Sequence, residues 1–169
     1  MTIHHEVIET TETVIVDYLN PLHAQHLIEL LDHYARDPMG GGQPLPDLTK
    51  DTLVAELAKR SFAFSLLCYV DGVPAALTNC FEGFSTFAAK PLINVHDIVV
   101  HRQYRGKGLS QAMLAKVEQI ARNRGCCKIT LEVLSGNEIA QGAYQKFGFA
   151  LYQLDPAAGQ AQFWQKFLT

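Results

Sequence analysis

Apolar and polar positions follow two rhythms along this chain, and each rhythm predicts a kind of element. Leu27, Leu30, Leu31 and Tyr34 recur at i, i+3, i+4 and i+7, the period of a single buried helix stripe. Asn20 before Pro21 supplies an N-cap and a first-turn proline, so this helix is predicted to start there and to run to about Arg36, where Asp37-Pro38 stops it. A strand over Thr13 to Tyr18 precedes it. Leu53, Val54, Leu57 and Ala58 predict the buried side of a second, short helix, and the Gly- and Pro-rich stretch Met39 to Pro46 joins the two as an irregular loop. Ser61 to Val70 and Val73 to Phe84, dense in Phe, Leu, Cys and Val around Asp71-Gly72, predict an antiparallel hairpin. Ala88 to Pro91 leads into a strand over Leu92 to Val100. Leu109, Met113, Val117, Ile120 and Ala121 mark a helix from Gly106 to Arg124, closed by Gly125 at C′. A strand over Lys128 to Leu134, a helix over Asn137 to Phe147, and two closing strands, Phe149 to Leu154 and Gln160 to Leu168, complete the prediction.

Length and composition add a frame to this order. The 169 residues, 48% apolar, suit a single domain, 1–169, with a sizeable core. Lys and Arg number 14 against 17 acids, and a net charge of −3 leaves no basic excess to hold nucleic acid or an anionic membrane. The start, Met1 to Glu12, is polar and acidic, unlike a signal peptide, and no apolar run is long enough to span a bilayer, so a cytoplasmic protein is expected. Cys68, Cys80, Cys126 and Cys127 sit in apolar, strand-like stretches without CxxC spacing, and are expected to be reduced, packed thiols. Cys126-Cys127 as a nucleophile for an acyl intermediate ranks well below packing, because no activating His lies nearby in sequence. His23, His26 and His33 share the first helix, but no acids complete a metal site there.

The densest chemical signal is Gln103-Tyr104-Arg105-Gly106-Lys107-Gly108, between the apolar run Ile98-Val99-Val100 and the helix that begins around Leu109. Two glycines permit a sharp turn, the helix start offers N–H groups and a positive dipole end, and Arg105 and Lys107 add cations, which together make an anion loop suited to a pyrophosphate. The spacing matches neither a Walker loop nor a dinucleotide fingerprint. Gln-x-x-Gly-x-Gly at this place resembles the pyrophosphate loop of the GNAT superfamily of acyl-CoA-dependent N-acyltransferases. The block from Leu131 to Phe149, with Asn137 and Tyr144, resembles the strand and helix that follow that loop. The two blocks together span residues 94 to 149.

The resemblance implies an α+β fold, with a twisted, mostly antiparallel mixed sheet of six or seven strands, flanked by about four helices and splayed at the acyl-CoA site. It implies acetyl-CoA as cosubstrate, with no metal, and transfer of its acetyl group to a primary amine by direct attack in a ternary complex. The backbone of Ile98, Val99 and Val100 would pair with the pantetheine arm, and Gln103, Arg105, Gly106, Lys107, Gly108, Leu109 and Ser110 would hold the pyrophosphate. Asn137 would bind the arm, and Tyr144, two helical turns further on the same face, would protonate the leaving thiolate. For the proton acceptor Asn94, His96 and Asp97 compete. Asn94 cannot act as a base where related enzymes often carry Glu; His96 is preferred because an imidazole suits proton acceptance without tuning, and Asp97 would need burial to become an effective base. Glu82 is a further candidate for base or amine recognition, and Glu82, Phe84 and Phe87 with the 37–48 loop would line an acceptor pocket, the loop acting as a lid or as an ordinary connection. His101 is expected to be solvated. A small-molecule amine is the expected acceptor, and a homodimer through Phe149 to Leu168 is a plausible assembly. A non-catalytic acyl-CoA sensor with the same fold is the alternative, supported chiefly by Asn94.

Overall fold

A computed structural model describes residues 9–168, so the part of the polar start up to Ile8 lies outside the described residues. It divides into two compact units, one ending at Leu131 and one starting at Glu132. The first holds five strands: β1 (Thr11–Ile15), β2 (Ala63–Val70), β3 (Val73–Ser85), β4 (Lys90–Val100) and β5 (Ile129–Leu131), in sheet order β1-β2-β3-β4-β5. Its helices are α1 (Pro21–Ala35), α2 (Asp47–Ala58) and α3 (Leu109–Asn123). The second unit holds α4 (Glu138–Phe147).

Local chemistry explains the boundaries. The Asn20 side chain accepts from the N–H groups of Leu22 and His23, which caps α1 behind Pro21. Asp71 and Gly72 both take positive φ, the geometry a two-residue hairpin demands, and the Asp71 carboxylate is held by the Thr10 N–H and hydroxyl. Leu27, Leu30 and Leu57 from the helices meet Val16, Leu67, Leu77 and Val99 from the sheet in one buried cluster, with Leu31 and Tyr34 packed on its edge. Each fully buried leucine there contributes ~1.5–3 kcal/mol.

Two features of β4 position the chemistry of this fold. First, β4 pairs with β5 in parallel only over Ile93, Val95 and the residue between them, so from His96 onward its pairing in the sheet is with β3 alone. Second, the register with β3 shifts: Asn79 faces Asp97 but Cys80 faces Val95, which leaves His96 as the extra residue of a β-bulge.

The sheet has five strands among the described residues, not six or seven. Phe149 to Leu154 and Gln160 to Leu168 form no strands; they meet in a backbone bond from the Ala161 N–H to Tyr152 at 3.4 Å, and beyond the half-buried Phe149 their side chains are exposed. Apolar alternation fixes which way side chains point, but a strand also needs a hydrogen-bonding neighbour. The first strand is Thr11–Ile15, ahead of the expected span, because the chain turns at Asp17, whose carbonyl accepts from the Asn20 N–H. The β5 strand is three residues rather than the expected seven. Cys126 and Cys127 lie in the turn after α3, where their amides bond to the carbonyls of Ala121 and Pro91, and Ala58 is exposed at the end of α2. The loop after α1 opens with a 3-10 turn, Pro38–Gly40, capped by Asp37.

Candidate active site

The anion loop takes the predicted form. A 3-10 turn, Arg102–Tyr104, follows β4, and Gly106 and Gly108 adopt left-handed φ of 81° and 79°. A Cβ at either glycine would meet nothing within 4 Å, so the requirement is conformational rather than steric crowding. Gly108 is the N-cap of α3 and brings no capping side chain, which leaves the helix start to serve an external anion. Leu109 is buried beneath the loop and Ser110 is half-buried. Both cations are paired with acids: Arg105 reaches Asp37 at 3.1 Å and the Val100 carbonyl at 3.3 Å, and Lys107 reaches Glu9 at 2.5 Å. Gln103 donates its N–H to His101 Nδ1.

His101 is not solvated, contrary to the sequence expectation. Its ring stacks on His33 of α1 at 4.2 Å, and His33 Nε2 accepts the Arg102 N–H at 3.3 Å. Two imidazoles thus hold two consecutive amides at the entrance of the loop. Burial lowers both pKa values, with Arg102 and Arg105 adding to the effect. The other α1 histidines are also engaged, His23 with the Asp17 N–H and His26 with the Tyr69 hydroxyl, each at 3.0 Å. Among the described residues no group of three or more His, Cys, Asp or Glu is arranged to hold a metal.

The bulge brings His96 and Asp97 to the same face of the sheet. Asp97 faces Asn79 across β3, and His96 packs edge-on against Phe81, two residues further along the same face of β3, at 5.2 Å between centroids. Without the extra residue, adjacent side chains would point to opposite faces. His96 is exposed and Asp97 half-buried. Asp97 is held by a row of hydrogen bonds running straight across the sheet: Asn79 Nδ2 donates to Asp97 Oδ2 at 2.9 Å, and Asn79 Oδ1 accepts from Ser65 Oγ at 2.6 Å. With the serine hydrogen so used, the Tyr18 hydroxyl donates to Ser65 Oγ at 2.8 Å. Burial raises the Tyr18 pKa, which keeps that donor protonated. Every donor points toward Asp97. Sequence reasoning passed over this row, although Ser65 and Asn79, polar residues inside apolar strand runs and 0% and 3% exposed, were its signal.

Phe81 also forms one wall of a cleft of about 340 Å³ lined by Leu53, Glu56, Leu57, Arg60, Phe62 and Phe81. The expected acceptor residues lie elsewhere. Glu82 is paired with Arg124 at 3.0 Å, Phe84 is exposed on the far part of β3, and Phe87 is 99% exposed in the following turn. Asn94 Nδ2 donates to Thr130 Oγ1 at 3.2 Å across the short β4–β5 pairing. Ile98, Val99 and Val100 face Thr78, Leu77 and Ala76 of β3, with Val99 in the core. In the second unit Asn137 caps α4 through the Ala140 N–H at 3.2 Å, and Tyr144 is buried with its ring edge-on to Phe149 at 6.0 Å. Burial raises the Cys68 and Cys126 thiols and pushes Cys80 up to about 12, so none of these three is activated as a nucleophile.

Comparison with known proteins supplies the remaining context. Residues 24–149 match the family model described as the acetyltransferase (GNAT) family. Over 126 residues, 75% of this chain and 82% of the relative, the sequence is 25% identical to glucosamine 6-phosphate N-acetyltransferase of Trypanosoma brucei brucei. It is 35% identical over 80 residues to streptothricin acetyltransferase of Streptomyces lavendulae, a match spanning 47% of this chain and 42% of that protein. The fold superposes on aminoglycoside N-acetyltransferase AAC(6')-Iy, solved in complex with CoA, with a TM-score of 0.73 at 19% identity, covering 94% of this chain and 95% of that one.

Proposed function

The chain belongs to the acetyltransferase (GNAT) family of acyl-CoA-dependent N-acyltransferases, and from that membership we propose that it transfers the acetyl group of acetyl-CoA to the primary amine of a small molecule. The observation that carries this reading is the bulge in β4. It sets His96 and Asp97 on one face, beside an apolar cleft, on the strand that runs directly into the anion loop.

The reaction needs an amine nitrogen to attack the thioester carbonyl carbon as the C–S bond breaks, with one proton leaving the ammonium and one reaching the thiolate. His96 accepts the ammonium proton, directly or through a water, at an exposed position that an acceptor can reach. Asp97, its carboxylate fixed by Asn79, attracts the ammonium and orients it. Gly106, Gly108 and the start of α3 receive the pyrophosphate, with Arg105 and Lys107 exchanging Asp37 and Glu9 for phosphate oxygens. The backbone of Ile98 to Val100 lies on the part of β4 beyond the pairing with β5, which suits it to receive the pantetheine arm as an added strand. Tyr144 supplies the proton for the thiolate and Asn137 contacts the arm; their two-turn spacing supports both roles.

The family match runs through both units, which supports reading 1–169 as one catalytic domain. No helix among the described residues is long and apolar enough to cross a membrane. The four cysteines are free, which supports reading the enzyme as cytoplasmic. The test is thiol release from acetyl-CoA with a panel of small amines, alongside direct measurement of acetyl-CoA affinity. Turnover that falls at least a hundredfold in His96→Ala, with acetyl-CoA affinity unchanged, supports the reading. Binding of acetyl-CoA with no turnover on any amine would favour the sensor instead, and absence of binding would overturn the proposal.

A further inference from the structure

The cleft behind Phe81 has a chemical character that none of the roles above uses. Its lining is apolar on Leu53, Leu57, Phe62 and Phe81, and the Phe62 and Phe81 rings lie 6.1 Å apart at a tilt, an aromatic corner. The two charged residues at its edge serve one another. Arg60 Nη1 reaches back to the Glu56 carbonyl at 2.5 Å and to its carboxylate at 3.0 Å, and Lys59 covers the other carboxylate oxygen at 2.6 Å. Each charge therefore has a partner within the same segment. The volume, about 340 Å³, sits at the low end of the roughly 300–1,000 Å³ usual for ligand pockets and suits one ring rather than linked sugars.

Resting on the acetyltransferase reading, we infer that the acceptor is a compact primary amine with an apolar body, of the arylalkylamine kind, its body in the α2–β3 cleft and its ammonium at His96 and Asp97. The link between the two halves is Phe81, which walls the cleft and touches His96. An ammonium drawn to the fixed Asp97 carboxylate points its substituent along Phe81 toward Phe62 and Leu53. A sugar ring in the same place would lay its hydroxyls against Leu53, Leu57, Phe62 and Phe81, which offer neither donor nor acceptor, and would find polar partners only at the Glu56–Arg60 edge. The aromatic corner suits a ring, stacked or edge-on.

The experiment measures thiol release at saturating acetyl-CoA with 2-phenylethylamine and with glucosamine 6-phosphate as probes, in the parent enzyme and in Leu53→Asp and Phe62→Ala. Leu53 is half-buried and Phe62 is 47% exposed, so Phe62→Ala guards against a folding defect in the other variant. The expected result is a kcat/KM at least about tenfold higher for 2-phenylethylamine, a KM for it that rises about tenfold in Leu53→Asp and severalfold in Phe62→Ala, and an unchanged acetyl-CoA Kd. Preference for glucosamine 6-phosphate, or KM values unmoved in both variants, overturns the inference while leaving an acetyltransferase in place. Failure to bind acetyl-CoA overturns the underlying reading as well.

Discussion

Asn79 shows how a buried amide can be retained in a hydrophobic strand. Its oxygen accepts from Ser65 and its nitrogen donates to Asp97, so both ends are satisfied and the amide cannot flip without setting its oxygen against the Asp97 carboxylate, acceptor to acceptor. Replacing it with Ala leaves the Ser65 hydroxyl without its acceptor and Asp97 without its donor, at a cost of ~1–3 kcal/mol for each buried group orphaned. If Asn79 acts only in folding, Asn79→Ala should lower Tm and leave the kinetic constants of the surviving enzyme alone. If it positions Asp97, as the geometry indicates, the KM for the amine should rise about tenfold, with kcat less affected and acetyl-CoA affinity unchanged. Asn79→Asp would place a second carboxylate against Asp97, and should raise the pH at which amine binding is half-maximal by making the pair share a proton. A KM that stays constant across both variants would remove Asn79 from the site.

At the scale of elements, what could be read from sequence depended on whether the determinant was local. The α1 cap, the Asp71-Gly72 turn and the two loop glycines are set by residues adjacent in sequence, and each stands where it was expected. The β4 bulge, the row from Tyr18 to Asp97 and the α2–β3 cleft arise from pairing between strands far apart in sequence, and no single segment encodes them. The same holds for His33, which supports the anion loop from α1, a role that its position on the first helix did not reveal. Because both stacked imidazoles accept backbone N–H groups, both must be neutral in the folded protein. Burial lowers each below its ordinary 6.5, so the unfolded chain takes up protons first as pH falls. Their contribution to stability is therefore complete above pH 6.5 and is lost as pH drops from 6.5 toward the lowered values. Calorimetry between pH 8 and 5.5 should show Tm declining below about 6.5, and a His33→Gln, His101→Gln double variant should flatten that decline. The Asp37–Arg105 pair ties the loop after α1 to the same place. Asp37→Asn keeps the cap on the Met39 N–H but removes the charge that competes for Arg105, so acetyl-CoA should bind about two- to fivefold more tightly; weaker binding would mean that Asp37 orients Arg105 rather than competing with phosphate.

For the whole molecule, the residues from Leu151 to Leu168 pose the clearest physical problem. Leu154, Phe163, Trp164 and Phe167 are 80%, 77%, 83% and 79% exposed, a density of apolar side chains that soluble surfaces rarely present to water. The segment forms no strand ladder among the described residues. A second copy would supply both missing components at once, an apolar face and a row of backbone partners. A net charge of −3 offers little long-range repulsion against such pairing. On this basis the proposed homodimer should form through this segment, and sedimentation velocity should show a monomer–dimer equilibrium that tightens with protein concentration. Trp164→Glu should shift that equilibrium to monomer, since an unpaired carboxylate in a desolvated interface is strongly unfavourable, while a monomeric protein remains free to solvate it. A parent protein that sediments as a monomer at every concentration would exclude the dimer.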